Sequence, residues 1–418
     1  MMTSPKRGIR LLSGLLGVAM FTASTVTAVG VATAGTAGAA AANKTPYLVG
    51  EAYWNSPLVT PQSRWPGVLA AMRTINASGG INGHPLKVDT CAATDANSGT
   101  ACAAQFVKDG VIATVSDEDI IAEVPYTQAM NAAGIPQIDS FVSTPTGLNS
   151  PNVFLLDGGS AEVYATVPQY GKLKNYKTYN ILYGISASAN ANAAIVNKAA
   201  AFYQQTQLGN IGIPLTAADY QTYVAQAAAT KADYQAGIIG PFQTNLLLSS
   251  SQSLAQPLVI SLSAGQFSTP LLQKYGSTGG TLEGSMLIGV LPPSSTVKQY
   301  PGLATIDKSI NSYYKATKDP NAAPTASTAI TELAWLDVYA LAKITKPVTG
   351  TLTPASVMTA LQNAKNVNLL GLIKWTPNAA GPTGFTRISN PNEFLITVKN
   401  GKEVLYKSKP VNAMTPFK

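Results

Sequence analysis

The dozen residues from Ile75 to Leu86, INASGGINGHPL, set the strongest limit on what this chain can fold into. Before them Val68, Leu69, Met72 and Ile75 recur at helical spacing, so that helix has one apolar face. Asn76, Gly79 and Gly80 stop it, because glycine enters the left-handed geometry of a helix C-cap without a Cβ penalty. Asn82-Gly83 makes a second turn, and the strand Leu86-Lys87-Val88 begins at once. On physical grounds this is a helix-to-strand joint of an α/β protein.

The same alternation runs along the chain. The first block predicts a strand at Tyr47–Gly50, a helix over 65–77 and a strand over 86–89. A helix over 102–108, a strand over 111–115, a helix over 120–133 and a strand over 135–138 follow. Residues 153–161 read as an irregular connector. A second block predicts strands at 178–184, 211–215, 236–239 and 258–262, with helices over 190–206, 219–231 and 245–254 between them. Helices are expected over 303–317, 327–344 and between Pro354 and Ala364. A hairpin turns at Asn400-Gly401. Trp335 and Trp375 fall in helix and strand patterns that suit the core.

The N-terminus reads as a leader rather than as part of the fold. Lys6, Arg7 and Arg10 precede an apolar run from Leu11, and an Ala-rich segment offers a cleavage site near Ala37-Gly38-Ala39. Residues 1–42 are therefore expected to be a signal peptide for the general secretion route, and the protein to work outside the cytoplasm. A retained leader would act as an anchor. No lipid-attachment cysteine follows it, since the first cysteine is Cys91. The remaining chain is long enough for two domains. Its charge is mildly basic, 25 Lys and Arg (28 in the full sequence, less Lys6, Arg7 and Arg10) against 20 Asp and Glu, and scattered, which argues against a nucleic-acid partner. In an exported chain, Cys91 and Cys102 are expected to form one disulfide. His84 is the single histidine and sits in a turn, where a solvated loop role is expected.

Five short segments, in order, resemble the type I solute-binding proteins of the branched-chain amino-acid (Leu/Ile/Val) ABC-importer family. They are the joint at 75–86, Ala133-Gly134-Ile135-Pro136, Pro151-Asn152-Val153-Phe154, Glu283-Gly284, and Gly371-Leu372-Ile373-Lys374-Trp375 with Gly381-Pro382-Thr383-Gly384. The resemblance implies an α/β fold of two Rossmann-like lobes joined by three crossing segments, with a ligand cleft between them. The expected division is 43–158 plus 291–372 for the first lobe, and 159–290 plus 373–418 for the second. It also implies a monomer that captures a small polar or amino-acid-like solute by hinge closure and delivers it to a membrane permease. The alternative is a sensor of the same fold that signals through a membrane partner.

Open α/β sheets bind ligands beyond the carboxyl ends of their strands. The loops there are 53–56, 116–119 and 140–144 in the first lobe, and 183–190, 240–244 and 263–267 in the second. By resemblance, amino-acid binders hold the ligand carboxylate and amine with hydroxyls and backbone groups at loops two and three. Ser116, Ser140, Val142, Ser143 and Thr144 stand near those positions. Ser188 or a neighbour stands where a tyrosine is expected, and Gln266 or Ser263 about where an acid would meet the amine. Those departures point away from an ordinary α-amino acid. Asp117-Glu118-Asp119 reads either as the cap and acidic first turn of the following helix or as ligand contact. Either way, carboxylates at that helix start disfavour an anionic ligand. Tyr53, Trp54, Phe141, Phe242 and Phe267 offer either a stacking wall or core packing, and Trp54 is the strongest contact candidate. No G-x-S-x-G elbow, phosphate-binding loop, dinucleotide fingerprint or histidine-rich metal spacing occurs, so no enzyme activity, cofactor or metal is expected. The acids at 117–119 are too close in sequence to flank a scissile glycosidic bond from both sides.

Overall fold

A computed structural model describes residues 44–53, 64–117, 122–140 and 142–418. The expected leader lies outside these residues, as do Trp54 and Phe141. The first block holds β1 (Tyr47–Tyr53), α1 (Trp65–Ala77), β2 (Leu86–Ala92), α2 (Ala96–Asp109), β3 (Ala113–Val115), α3 (Glu123–Ala133), β4 (Gln137–Asp139), α4 (Pro145–Asn149) and β5 (Val153–Leu155). Its strands form a parallel sheet in the order β2-β1-β3-β4-β5.

The second block runs α5 (Gly159–Leu173), β6 (Thr178–Gly184), α6 (Ala187–Phe202), β7 (Thr206–Ile213), α7 (Gln221–Ala229), β8 (Tyr234–Ile238), α8 (Pro241–Gln252), β9 (Ile260–Ser263), α9 (Thr269–Tyr275) and β10 (Met286–Gly289). Then come α10 (Gly302–Thr317), α11 (Ala329–Thr345), α12 (Pro354–Asn363) and a small ladder of β11 (Val367–Leu369) with β12 (Ile373–Trp375). The chain ends with β13 (Asn392–Lys399), β14 (Lys402–Leu405) and β15 (Val411–Asn412). The second sheet is ordered β14-β13-β10-β9-β8-β6-β7, with β15 against β13. Its β7-to-β10 part is parallel, whereas β13 and β14 run antiparallel. This is the type I periplasmic-binding-protein fold, two α/β lobes between which the chain passes after β5, after β10 and before β13.

Apolar side chains explain the layering. On the first sheet, Val49, Val115 and Ile138 join Trp335, Leu336 and Leu341 of α11 on one face, while Ala52, Phe106 and Tyr126 line the other. On the second sheet, neighbours along a strand point to opposite faces, Ile181 to one cluster and Leu182 to the other. Each fully buried aliphatic side chain of this kind contributes about 1.5–3 kcal/mol. β12 places Ile373 and Trp375 in the first sheet's cluster, whereas the expected division put residues from 373 onward in the second lobe. Cys91 and Cys102 are bonded, tying β2 to α2. His84 is half-buried, stacked on Tyr47 at 4.3 Å, with its Nδ1 donating to the Thr45 carbonyl at 2.7 Å.

Several boundaries differ from the sequence expectation. α2 begins well before Cys102, because Asp95 and Ser98 form a reciprocal capping box at its start. α6 ends at Phe202, and Gln204 in the left-handed region turns the chain into β7. Part of the expected connector at 153–161 is strand β5, and α5 starts before it ends. α5 is buried nearly all round and carries Pro168 internally, so no amphipathic period marks it.

Candidate functional site

In both sheets the strand order reverses beside the first strand of the block, between β1 and β3 and between β6 and β8. The carboxyl ends of the strands at such a switch point form the crevice where open α/β folds bind ligands. At the first switch point Ser116 is fully buried and holds φ at +52°. A non-glycine residue in this region stores backbone strain and is held there by its surroundings.

Asp117 does not cap the helix that follows. α3 starts at Glu123 with Ala122 as its N-cap and no side-chain cap. The carboxylate is turned inward instead. Its Oδ1 accepts the Ala52 N–H at 2.8 Å, and its Oδ2 accepts from Thr114 Oγ1 at 2.6 Å, Tyr126 Oη at 3.1 Å and Gln137 Nε2 at 3.4 Å. It thus pins β1 to β3 across the switch point. Burial, and next the charge of Asp139, push its carboxyl up to about 7 against the pull of those donors. Arg64, also buried, donates from Nη1 to the Asp117 carbonyl at 3.0 Å and lies 3.6 Å from Asp139 Oδ1.

The four hydroxyls near the ligand-carboxylate positions all have protein acceptors. Ser116 Oγ donates to Asp337 Oδ2 at 2.5 Å, and Ser140 Oγ to Asp337 Oδ1 at 2.6 Å. Ser143 donates its N–H at 3.0 Å and its Oγ at 2.6 Å to Glu123 Oε2. Thr144 gives the same pair to Glu123 Oε1, at 3.0 and 2.6 Å. Glu123 therefore sits in a cradle of four donors, and Asp337 bridges the loops after β3 and β4. Burial drives the Asp337 carboxyl well above the usual carboxylate range, with the two serine bonds opposing it. Val142 is buried among Leu148, Val153 and Leu155.

In the second lobe, Ser188 is half-buried in the first turn of α6, its Oγ 3.3 Å from that of Ser186. Gln266 ties two loops together, accepting from Thr244 Oγ1 at 2.8 Å and donating to the Ile239 carbonyl at 3.0 Å. Phe242 is the second residue of α8. Phe267 belongs to the core with Leu247 and Leu262, not to a cleft wall. Tyr53 is half-buried at the end of β1, edge-on to Trp65 at 6.1 Å. The structure thus gathers Ser116, Asp117, Ser140, Ser143 and Thr144 at the ends of β3 and β4.

Sequence reasoning passed over Glu123, Asp337, Arg64 and Asp139, which organise those residues. Asp337 had a visible signal, a single acid inside the apolar run Leu333-Ala334-Trp335-Leu336-Asp337-Val338. Glu123 had none, because an acid in a helix's first turn is ordinary. Among the described residues no cluster of His, Cys, Asp and Glu is arranged to hold a metal ion, and no helix is long and apolar enough to cross a membrane.

Two doubly wound lobes with polar residues at facing strand ends define a class of proteins that capture ligands between lobes. The profile of the periplasmic binding protein family matches residues 59–390, and the chain belongs to that family. Among solved structures, a fatty-acid ABC-transporter substrate-binding protein from Thermomonospora curvata is similar at 17% identity and a TM-score of 0.70, over 90% of this chain and 95% of its own. A solute-binding protein of an ABC transporter from R. palustris, in complex with benzoate, is similar at 13% identity and TM-score 0.70, over 88% and 97%. A leucine-binding protein from Thermotoga maritima is similar at 11% identity and TM-score 0.67, over 88% and 99%. At these identities the likeness is one of fold. No curated protein matches the chain.

Proposed function

We propose that this protein is the extracytoplasmic solute-binding component of an ABC-type importer, and that its solute is not anchored by a carboxylate. The family and the transporter proteins of like fold support the first part. One observation carries the second. Ser116, Ser140, Ser143 and Thr144 all donate to Asp337 or Glu123, so the hydroxyls that could grip a ligand carboxylate already hold carboxylates of the protein. An incoming anion would find those donors already committed to Asp337 and Glu123. A neutral or amine-bearing solute does not depend on those donors. The permease is the expected partner, and the protein binds its solute without transforming it. The two lobes are read as 43–158 with 291–375, and 159–290 with the chain from about 390.

A thermal-shift screen of the secreted protein against amides, polyamines, sugars, amino acids and aromatic acids tests this reading. A solute present at 100 times its Kd stabilises the fold by about 2.7 kcal/mol. Stabilisation by neutral or amine-bearing compounds is the expected result. Stabilisation by carboxylates alone would sink the reading.

A further inference from the structure

Burial sorts the charges of this chain by sign. Among the described residues every lysine except Lys174 is exposed, whereas the exposed acids are Asp95, Asp109, Asp219 and Asp233. The other described acids are buried or half-buried. The surface is therefore more cationic than the composition conveys. Residues 394–418 show it most plainly, with Lys399, Lys402, Lys407, Lys409 and Lys418 against a single acid, Glu403. Burial pushes the Glu403 carboxyl up to about 8, so near neutral pH it is largely protonated and does not offset them.

Lys399 and Lys402 stand directly opposite each other in the β13–β14 ladder. Their side chains share one face of the hairpin, and like charges so placed repel. The end of α5 lies beside this hairpin. Tyr406, just after β14, packs on Tyr170 of α5 at 4.8 Å and donates from Oη to the Leu173 carbonyl at 3.3 Å. Lys172 lies in the last turn of α5, and Lys174 is its C-cap, with Nζ donating to the Gly284 carbonyl at 3.1 Å. Burial, and next the charge of Lys399, hold the Lys174 ammonium below its ordinary range. Glu283 is the acid at the hairpin turn, and its Oε2 accepts the Asn400 N–H at 2.9 Å. None of these lysines is in an ion pair with a described residue. The negative end of a helix accounts for Lys172 and Lys174. It does not account for two lysines held in opposition across a ladder, nor for the two that follow.

We propose that the β13–β14 hairpin and the adjoining end of α5 form a docking surface for an anionic lipid bilayer, with Lys172, Lys399, Lys402, Lys407 and Lys409 facing its headgroups. Clustered lysines are drawn to a negatively charged membrane surface, and the attraction relieves the repulsion between them. The lysines are exposed and come from two separate elements, an arrangement that suits an extended charged plane. Tyr406 stays partly exposed among them, and an aromatic ring with a polar tip suits the headgroup level of a bilayer. Such docking holds the protein at a membrane whatever solute it carries.

Co-sedimentation of the secreted protein with lipid vesicles tests the proposal. One set is phosphatidylcholine alone, and the other is phosphatidylcholine mixed with phosphatidylglycerol. Two triple variants run beside the wild type. Lys399→Gln/Lys402→Gln/Lys407→Gln removes charge from the proposed surface, and Lys308→Gln/Lys315→Gln/Lys318→Gln removes the same charge from α10. All six lysines are exposed, so both variants are expected to keep the wild-type Tm. The expected result is binding to the mixed vesicles alone, weakening as salt is added. The hairpin variant should bind about tenfold more weakly or worse, and the α10 variant nearly as the wild type. No binding to the mixed vesicles overturns the proposal, as does equal binding to phosphatidylcholine alone. Equal weakening in the two folded variants would show that overall charge, not this surface, is responsible, and the assignment would fall. Binding to soluble polyphosphate without binding to vesicles would assign the lysines to a polyanion and overturn the bilayer.

Discussion

Glu123 shows how far one side chain can redirect a binding loop. Its two oxygens accept four hydrogen bonds from the backbone and hydroxyls of Ser143 and Thr144, two to each oxygen. Hydrogen bonds to a charged group are each worth about 1.5–3 kcal/mol, more than neutral ones. Glu123→Gln keeps the shape but replaces one oxygen with an NH2 group, which then faces two donors. A loss of roughly 2–4 kcal/mol is expected, read from the midpoint of chemical denaturation at unchanged m-value. A loss below about 0.5 kcal/mol would mean that the cradle does not hold Glu123 in solution. The serines and the threonine were legible as polar loop residues at strand ends. What they bond was not, because Glu123 and Asp337 reach them from α3 and α11, and separation in sequence hides such partners.

At the scale of elements, legibility followed amphipathicity. α1 was readable to the residue because its apolar positions recur at helical spacing and Ser78, Gly79 and Gly80 end it. β6 was readable because it is bounded by turns and apolar on both faces. α5 was not, since a helix buried on every side shows no stripe and Pro168 lowers its local propensity. Tertiary packing against α6, β10 and β13 makes it a helix. The start of α2 was hidden for another reason: its capping box uses Asp95 and Ser98 rather than an apolar period. Contact between elements adds a constraint at Gly67 of α1. A Cβ there would lie 2.1 Å from the Thr331 carbonyl oxygen of α11. The two helices approach through this glycine, and the contacting atom is backbone that cannot turn aside. Gly67→Ala would raise helix propensity on an exposed surface. Here it is expected to cost about 1–3 kcal/mol by forcing α1 and α11 apart, measured as a lower Tm of the purified protein. An unchanged or higher Tm would show that the helices do not pack this closely.

Across the whole molecule, buried acids run from one sheet to the other. Asp117 and Asp337 sit at the ends of the first sheet's strands, and Asp157, Glu162 and Glu393 at the passages between sheets. Glu332 and Glu403, half-buried, lie farther along, on α11 and β14. Burial is the largest cause of the upward shift in every one of them. Asp117 and Asp157 are pushed up to about 7, and Glu332 and Glu403 to about 8. In the unfolded chain the same groups titrate near 4. Between those limits the folded protein holds protons that the unfolded chain has released, so stability falls as pH rises. The penalty is absent below about pH 4, and for Asp117, Asp157, Glu332 and Glu403 it is complete once pH passes their folded values of about 7 to 8. Asp95 and Asp233 are shifted down and act in the opposite sense, but they are exposed and their share is small. The solute-free protein is therefore expected to melt several degrees higher at pH 5 than at pH 8, measured by calorimetry at constant ionic strength. Asp157→Asn should flatten that slope by removing one contributor. A Tm that rises from pH 5 to pH 8 would mean these carboxylates are solvated or matched by cations in solution.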